Sequence, residues 1–364
     1  MATIFLHIGI HKTGTSSIQQ TLHESRAALL GRSVNYLPIA INHSLPLLSL
    51  FGDEQARKHA NVRMWVNPSK RLNARLREEL ERALRGNRSD KIVVSGEGLS
   101  SLKRPGVEAL KAVLDPFADA YRVIAYVRSP ASYAVSASQE RLKHGQTFED
   151  LARDPPIPGY KRKIETFIDV FGRGSVDIRL FDAGRFAGGR LISDFCRAIG
   201  EGDELADRLV ERRMNESISM EAALVLDALN KAAPRFKDGG QNPERAWKVL
   251  DEIGSVRGAR FAMPAAFLAR AEERAARDLG WLRDTLGYDP FPPSPRASEE
   301  QALLWGEQAL LSVALRLNEL ALLKREGLRR NVLRRGASAL AKRVGQAAGR
   351  LGRLRPTRAA GFPE

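Results

Sequence analysis

The sequence has a single cysteine, Cys196. No disulfide can form within the chain, which fits a reducing compartment. Cys196 sits in RLISDFCRAIG, on the apolar side of a helix-like segment, a setting that predicts packing rather than reactivity. Long hydrophobic runs are also missing. The longest apolar stretches fall far short of the roughly 20 residues a membrane span needs. The N-terminus reads directly as a strand, without a charged start, an apolar middle and a cleavage site. The expected location is therefore the cytoplasm. Aromatic residues are few at 7%, against 43% hydrophobic residues overall, which is ordinary for a globular core.

What the chain does have is uneven positive charge. The net charge is +15, and Lys324–Arg358 carries twelve Lys or Arg against one acidic residue, Glu326. The body is only mildly basic. The tail mixes Leu, Val and Ala with arginine. It suits either a solvated extension or a segment lying on an anionic membrane face, where each basic residue near the surface is worth about 1 kcal/mol. The second case places the protein peripherally on the inner membrane face. Nucleic acid is not an expected partner, because no aromatics interleave these charges.

Along the chain, β and α signals alternate. TIFLHIG (3–9), KIVVSGEG (91–98), YRVIAYV (121–127) and VDIRLFD (176–182) read as short buried strands. Helices are predicted from Thr15 to about Leu30, over 71–86, within VEALKAVLDPF, from Pro130 to about His144, and over 160–172. Proline at a helix start is well placed. This alternation predicts an α/β fold with a phosphate-loop-like central parallel sheet flanked by helices on both faces. From about residue 185 the pattern is mainly helical, including NESISMEAALVLDALNKA and MPAAFLARAEERAARDLGWLRDTLG as one helix-like block each. DPFPPSPRAS (289–298), with four prolines in ten residues, reads as a linker. The expected division is an α/β domain over 1–295, a C-terminal helix over 296–325, and the basic tail over 326–364.

The first strand leads into Gly9-Ile10-His11-Lys12-Thr13-Gly14-Thr15-Ser16. This is close to the phosphate loop G-x-x-x-x-G-K-[ST], but its lysine precedes the second glycine by two residues. A glycine-rich turn between strand and helix is an anion site: backbone N–H groups and the helix N-terminus face the ligand. Gly9 and Gly14 permit close approach. Thr13, Thr15, Ser16 and Ser17 add hydroxyls, and Lys12 adds a full charge. The competing reading is a Ser/Thr-rich helix cap with no ligand. An ATP enzyme also needs Mg²⁺, usually held by an aspartate at a neighbouring strand end. Here the strands run into VVSGE and AYVRSP, so a ligand neutralised by Lys and Arg without metal fits better.

HIGIHKTGTSSIQ resembles the 5′-phosphosulfate loop of sulfotransferases that use 3′-phosphoadenosine-5′-phosphosulfate (PAPS), in particular bacterial and Golgi-type carbohydrate sulfotransferases. Their second signature, a strand followed by Arg and then Ser eight positions on, is similar to RVIAYVRSPASYAVSASQE, with Arg128 and Ser136. KIVVSGEGLS, GYKRKIETFIDVFGRGSVDIRLFD and RRMNESIS also look similar to family segments. The resemblance spans about residues 2–290. It implies PAPS as sulfuryl donor and 3′-phosphoadenosine-5′-phosphate (PAP) as product, without metal. It implies that Lys12 faces the bridging oxygen and leaving phosphate. Thr13, Gly14, Thr15, Ser16 and Ser17, in the loop with His11, would hold the 5′-phosphate, and Arg128 and Ser136 the 3′-phosphate.

An acceptor hydroxyl needs a base. Glu97, just past a strand end on the ligand side of an open parallel sheet, is the first candidate, and His11 is the second. His7 is expected within the sheet and carries no role. Arg141, Lys143 and His144 either line a cleft for an acidic acceptor or form a solvated helix end. Trp65, Trp247 and Trp281 suit core packing better than sugar stacking. The acceptor is expected to be a small molecule or glycan. Two other functions stay open: a Mg²⁺-dependent small-molecule kinase with this loop, and a catalytically inactive nucleotide-binding or membrane-associated interaction protein.

Overall fold

The computed structural model describes residues 1–58, 70–212, 217–237, 240–246, 249–256, 258–291, 311 and 313–324. The side chains of Trp65 and Trp247, part of RRMNESIS, the proline-rich linker from 292, the first part of the expected C-terminal helix and the tail over 326–364 lie outside the described residues.

The chain forms two compact units. The first comprises Met1–Arg141, Glu149–Ser217 and Arg260–Ala302. It holds a five-stranded parallel sheet built from β1 (Ala2–His7), β2 (Val34–Tyr36), β3 (Lys91–Ser95), β4 (Ala118–Val127) and β5 (Val176–Leu180). The order is β2-β3-β1-β4-β5, with Ile4 opposite Ile92 and Leu6 opposite Val123. Four of these strands match the apolar runs. The fifth, β2, is only three residues long, too short for alternation to show. It pairs on β3 through Val34, Asn35 and Tyr36.

Successive strand residues point to opposite faces, and both faces are covered. Ile4 and Leu6, Ile92 and Val94, and Val123, Ala125 and Val127 turn to one side. There they meet Val107, Leu110 and Leu114 of α6 (Arg104–Leu114), Ile164 and Phe167 of α9 (Tyr160–Phe171), and Leu80 and Leu84 of α5 (Lys70–Arg85). Phe5, Val93, Ile124 and Tyr126 turn to the other side. They meet Ile18 and Leu22 of α1 (Thr15–Glu24), Leu29 of α2 (Arg26–Leu30), and Ile192, Phe195 and Cys196 of α10 (Leu191–Ala198). Each Val, Leu, Ile or Phe among them contributes about 1.5–3 kcal/mol by leaving water. Cys196 is wholly buried, and burial pushes its thiol up to about 12, as packing without reactivity requires.

Two long helices expected from the sequence are each divided. The first breaks at Ser25, whose φ of −99° and ψ of 18° leave the helical range. MPAAFLARAEERAARDLGWLRDTLG gives α14 (Ala265–Arg274) and α15 (Ala276–Leu286), and the bonds Ala275 N–H to Ala271 C=O and Leu279 N–H to Ala275 C=O run through the bend. Further helices of the chain are α3 (Ser44–Phe51), α4 (Glu54–Lys58), α7 (Pro130–Lys143), α8 (Phe148–Arg153), α11 (Asp203–Arg208), α12 (Met220–Ala232) and α13 (Val249–Gly254).

The second unit comprises Leu142–Phe148, Ile218–Ala259 and Leu303–Glu364. Ser219 caps α12 by accepting from the Ala222 N–H at 3.0 Å, and Asn230 fastens 142–148 through the carbonyls of Leu142 and Gln146. Among the described residues no helix is long and apolar enough to cross a membrane.

The topology fixes where a ligand belongs. β1 is central, and the chain reaches its neighbours β3 and β4 from opposite directions. Open parallel sheets bind ligands outside the C-terminal strand ends at such a reversal. Here that edge carries the loop after His7, Gly96-Glu97 after Ser95, and Arg128 after Val127.

Candidate active site at the C-terminal edge of the sheet

The loop between β1 and α1 is anchored at its apolar positions: Ile8 and Ile10 are fully buried. Gly9 between them has φ +22°, and a Cβ there would lie 2.7 Å from Thr15 Cγ2 and 2.9 Å from Glu97 Cα. Its missing side chain is what lets the β1 loop and the end of β3 touch. Gly14 has φ +72°, and a Cβ there would stand 2.4 Å from Leu191 Cδ2. Lys12 also adopts a left-handed conformation, φ 65°, a strained choice for a long side chain that costs about 1–3 kcal/mol and concentrates at functional sites. The Thr13 hydroxyl closes the turn on the Ile10 carbonyl at 2.5 Å.

α1 then starts with no side-chain cap and no acidic residue in its first turn. Its leading amides keep their partial positive charge for a ligand. The Thr15 hydroxyl is buried with no hydrogen-bond partner among the described residues, and Ser16 and Ser17 are half-buried beside it. A buried hydroxyl left unpaired costs free energy, a cost that an anion at the helix start would offset.

The end of β4 is fixed by Tyr160, whose hydroxyl accepts the Arg128 N–H at 2.8 Å and donates to the Arg128 carbonyl. The guanidinium then reaches towards the loop. Its Nη1 donates to the Lys12 carbonyl at 3.0 Å and its Nε to the Ser132 hydroxyl at 2.6 Å, and it lies 5.3 Å from the Phe181 ring centre. Burial holds Arg128 below its ordinary range, and the positive charge of Arg260 presses it further. The partly buried Arg128 guanidinium, with the charge of the exposed Arg260 acting on it, makes this strand end electropositive. Ser136 stands one helical turn beyond Ser132, half-buried, and Ser132 is the residue that holds the guanidinium. Neither Ser132 nor Arg260 belongs to a motif visible in the sequence; Arg260 lies in SVRGAR, 132 positions downstream of Arg128.

Glu97 opens the 3-10 turn Glu97–Ser101. A buried polar network holds the strand end beneath it. Ser95 pairs through its hydroxyl with His7 Nδ1 at 2.8 Å, donates its N–H to His43 Nδ1 at 3.1 Å, and accepts at its carbonyl from Gln19 at 3.0 Å. Burial lowers His7 to about 3 and His43 to about 4, so both are neutral and structural. From this base Glu97 Oε1 reaches His11 Nδ1 at 2.6 Å. The two residues considered separately as bases are thus one pair. Burial pushes the Glu97 carboxyl up, but the His11 hydrogen bond and charge, with Lys12 and Lys163, hold it below its usual range. It is a carboxylate at neutral pH. Glu97 is the more enclosed partner, with 27% of its side chain exposed against 52% for His11.

Two further groups face this pair. Lys163 is buried, donates to the Pro158 carbonyl at 2.6 Å, and is lowered to about 8 by burial and by Arg162. Lys12 Nζ lies 3.1 Å from Glu140 Oε2 on α7. Arg141 is turned to Asp154, donating to its carbonyl at 3.1 Å, and Lys143 and His144 belong to the second unit. Trp281 packs against the core. Among the described residues no group of three or more His, Cys, Asp or Glu stands together to hold a metal ion.

The fold and site define an α/β protein with a glycine-rich loop after its central strand, tied to the arginine at the end of the neighbouring strand. No family model matches the chain, and no curated protein matches it. Among solved structures, a sulfotransferase from Alicyclobacillus acidocaldarius is similar at 16% identity, over 63% of this chain and 92% of that one, with a TM-score of 0.35.

Proposed function

We propose that the chain transfers the sulfuryl group of PAPS to a hydroxyl or amine of a carbohydrate-type acceptor, leaving PAP. The observation that carries this reading is the bond between the two turns, Arg128 Nη1 to the Lys12 carbonyl. A loop after one strand suits any phosphate. A partly buried arginine tied to that loop from the neighbouring strand suits a ligand with two separate phosphate groups. The unpartnered Thr15 hydroxyl and the uncapped start of α1 fit the 5′ group, and Arg128 with Ser132, Ser136 and Arg260 fits the 3′ group.

In this reading the donor supplies an activated sulfuryl group, and the protein positions it and manages charge. Lys12 offsets the negative charge that grows on the leaving phosphate as the bridging S–O bond breaks. The acceptor oxygen forms the new S–O bond and gives up its proton. His11 Nε2 takes that proton, because Nδ1 is committed to Glu97 and an ionised carboxylate there both orients the ring and stabilises the imidazolium. This reverses the sequence-based ranking of the two residues. A carboxyl held below its usual range is the weaker base and the better orienter.

The test is radiolabelled sulfuryl transfer from PAPS to a panel of oligosaccharides, in EDTA, with ATP and Mg²⁺ in a parallel arm. Transfer from PAPS that is lost in Lys12→Ala supports the proposal. Phosphorylation from ATP, with none from PAPS, overturns it in favour of a kinase.

A further inference from the structure

The face of α7 that looks onto the loop repeats every fourth residue. Ser132, Ser136 and Glu140 continue the line that Arg128 begins just before the helix, and side chains four apart share one helical face. The two ends of this line hold the same residue. Arg128 binds the Lys12 carbonyl at 3.0 Å, and Glu140 binds the Lys12 ammonium at 3.1 Å. The pair is partly shielded: 21% of the Lys12 side chain is exposed and 42% of Glu140.

This creates a conflict if Lys12 serves a phosphate. Its ammonium can neutralise the carboxylate or the incoming anion, and a carboxylate left beside that anion repels it. At about 4 Å and an effective dielectric constant of about 20, such like-charge contacts are strong enough to set affinity. An ion pair between half-exposed groups contributes little to folding. Glu140 stands where its charge acts directly on the Lys12 ammonium.

We propose that Glu140 is an internal counter-ion which Lys12 exchanges for the donor phosphate. Glu140 holds Lys12 in place in the empty site, weakens nucleotide binding, and speeds release of PAP by recapturing the ammonium. It is a positioning residue. The proposal rests on the reading of Lys12 as a phosphate ligand, and its test separates the two.

The experiment is calorimetric titration of PAP into wild type, Glu140→Gln, Lys12→Met and the double variant, in EDTA at two salt concentrations. Glutamine keeps the size of the side chain and removes its charge. The expected result is at least about tenfold tighter PAP binding in Glu140→Gln, with the gain reduced to about twofold in the Lys12→Met background and shrinking at high salt. Equal or weaker PAP binding in Glu140→Gln, with clear binding to wild type, overturns the counter-ion role and leaves Lys12 as a ligand. An equal gain in both backgrounds also overturns it, since Glu140 then repels the nucleotide without acting on Lys12. PAP binding that is unchanged by Lys12→Met overturns the Lys12 reading, and the proposal with it.

Discussion

Arg128 and Lys12 are 116 positions apart in the chain, yet the guanidinium of one holds the backbone carbonyl of the other at 3.0 Å. They meet because β1 and β4 are parallel neighbours, so the segments leaving their C-terminal ends emerge side by side. The bond also helps hold Lys12 in its left-handed conformation. The residue that would sense a 3′-phosphate thus shapes the loop that would hold a 5′-phosphate.

The loop is sterically closed at Gly14. A Cβ there would fall 2.4 Å from Leu191 Cδ2 and 2.9 Å from Phe181 Cε2, at φ +72°. Gly14→Ala is expected to destabilise the protein by about 1–3 kcal/mol, read as a lowered melting temperature. Adding Leu191→Ala removes the Leu191 clash but neither the Phe181 contact nor the backbone strain, so it should restore part of the loss at most.

The division of labour proposed for His11 and Glu97 has a kinetic signature. A general base must be unprotonated to act, so removing either member of the pair changes how the rate depends on pH. Glu97→Gln keeps a hydrogen-bonding side chain and removes the charge, and should lower kcat by about 10²–10⁴-fold. His11→Gln should do the same, and its residual activity should persist to lower pH, because the remaining carboxyl lies below its usual range. Full activity in His11→Gln would return the base to Glu97.

Lys163 makes a stability prediction with a defined sign. Its ordinary value is 10.5 and burial lowers it to about 8. Below pH 8 the folded protein carries a buried ammonium at a cost. Between pH 8 and 10.5 the unfolded chain binds the extra proton, so stability rises with pH. Lys163→Met is expected to stabilise the fold by about 2 kcal/mol at pH 7, after the lost bond to Pro158. The advantage should shrink towards pH 10.5. Chemical denaturation at pH 7 and pH 10 checks both points.

His7 and His43 predict acid sensitivity. Both are lowered from 6.5, to about 3 and about 4. Between pH 6.5 and those values the unfolded chain takes up protons that the folded one refuses, so stability falls as pH falls. Each histidine contributes a slope of about 1.4 kcal/mol per pH unit in that window. His7→Gln should flatten the curve of unfolding free energy against pH by about one such increment.

Much of this edge was legible in the sequence because parallel buried strands are nearly continuous apolar runs. β1, β3, β4 and β5 announce themselves, and each strand end then marks a candidate position. The His11–Glu97 contact was not legible, since the two lie 86 positions apart in the chain and no local pattern joins them. It depends on Gly9 letting one strand end lie against another. Ser132 and Glu140 were hidden because a helix face emerges only once its phase against the sheet is set. Arg260 was hidden because its charge acts on Arg128 only in the folded chain. β2 was missed for its length, and Ser95 because its partners His7, Gln19 and His43 come from three separate segments.

The central claim is that the site reads a 3′-phosphate through Arg128. The most direct measurement is binding of PAP and of ADP, which lacks that phosphate, to wild type and to Arg128→Ala in EDTA. PAP should bind wild type at least about 100-fold more tightly than ADP. At 100 times its Kd it should stabilise the fold by about 2.7 kcal/mol. In Arg128→Ala the two nucleotides should bind alike, with the loss confined to PAP. Equal affinities for PAP and ADP in wild type would contradict the account.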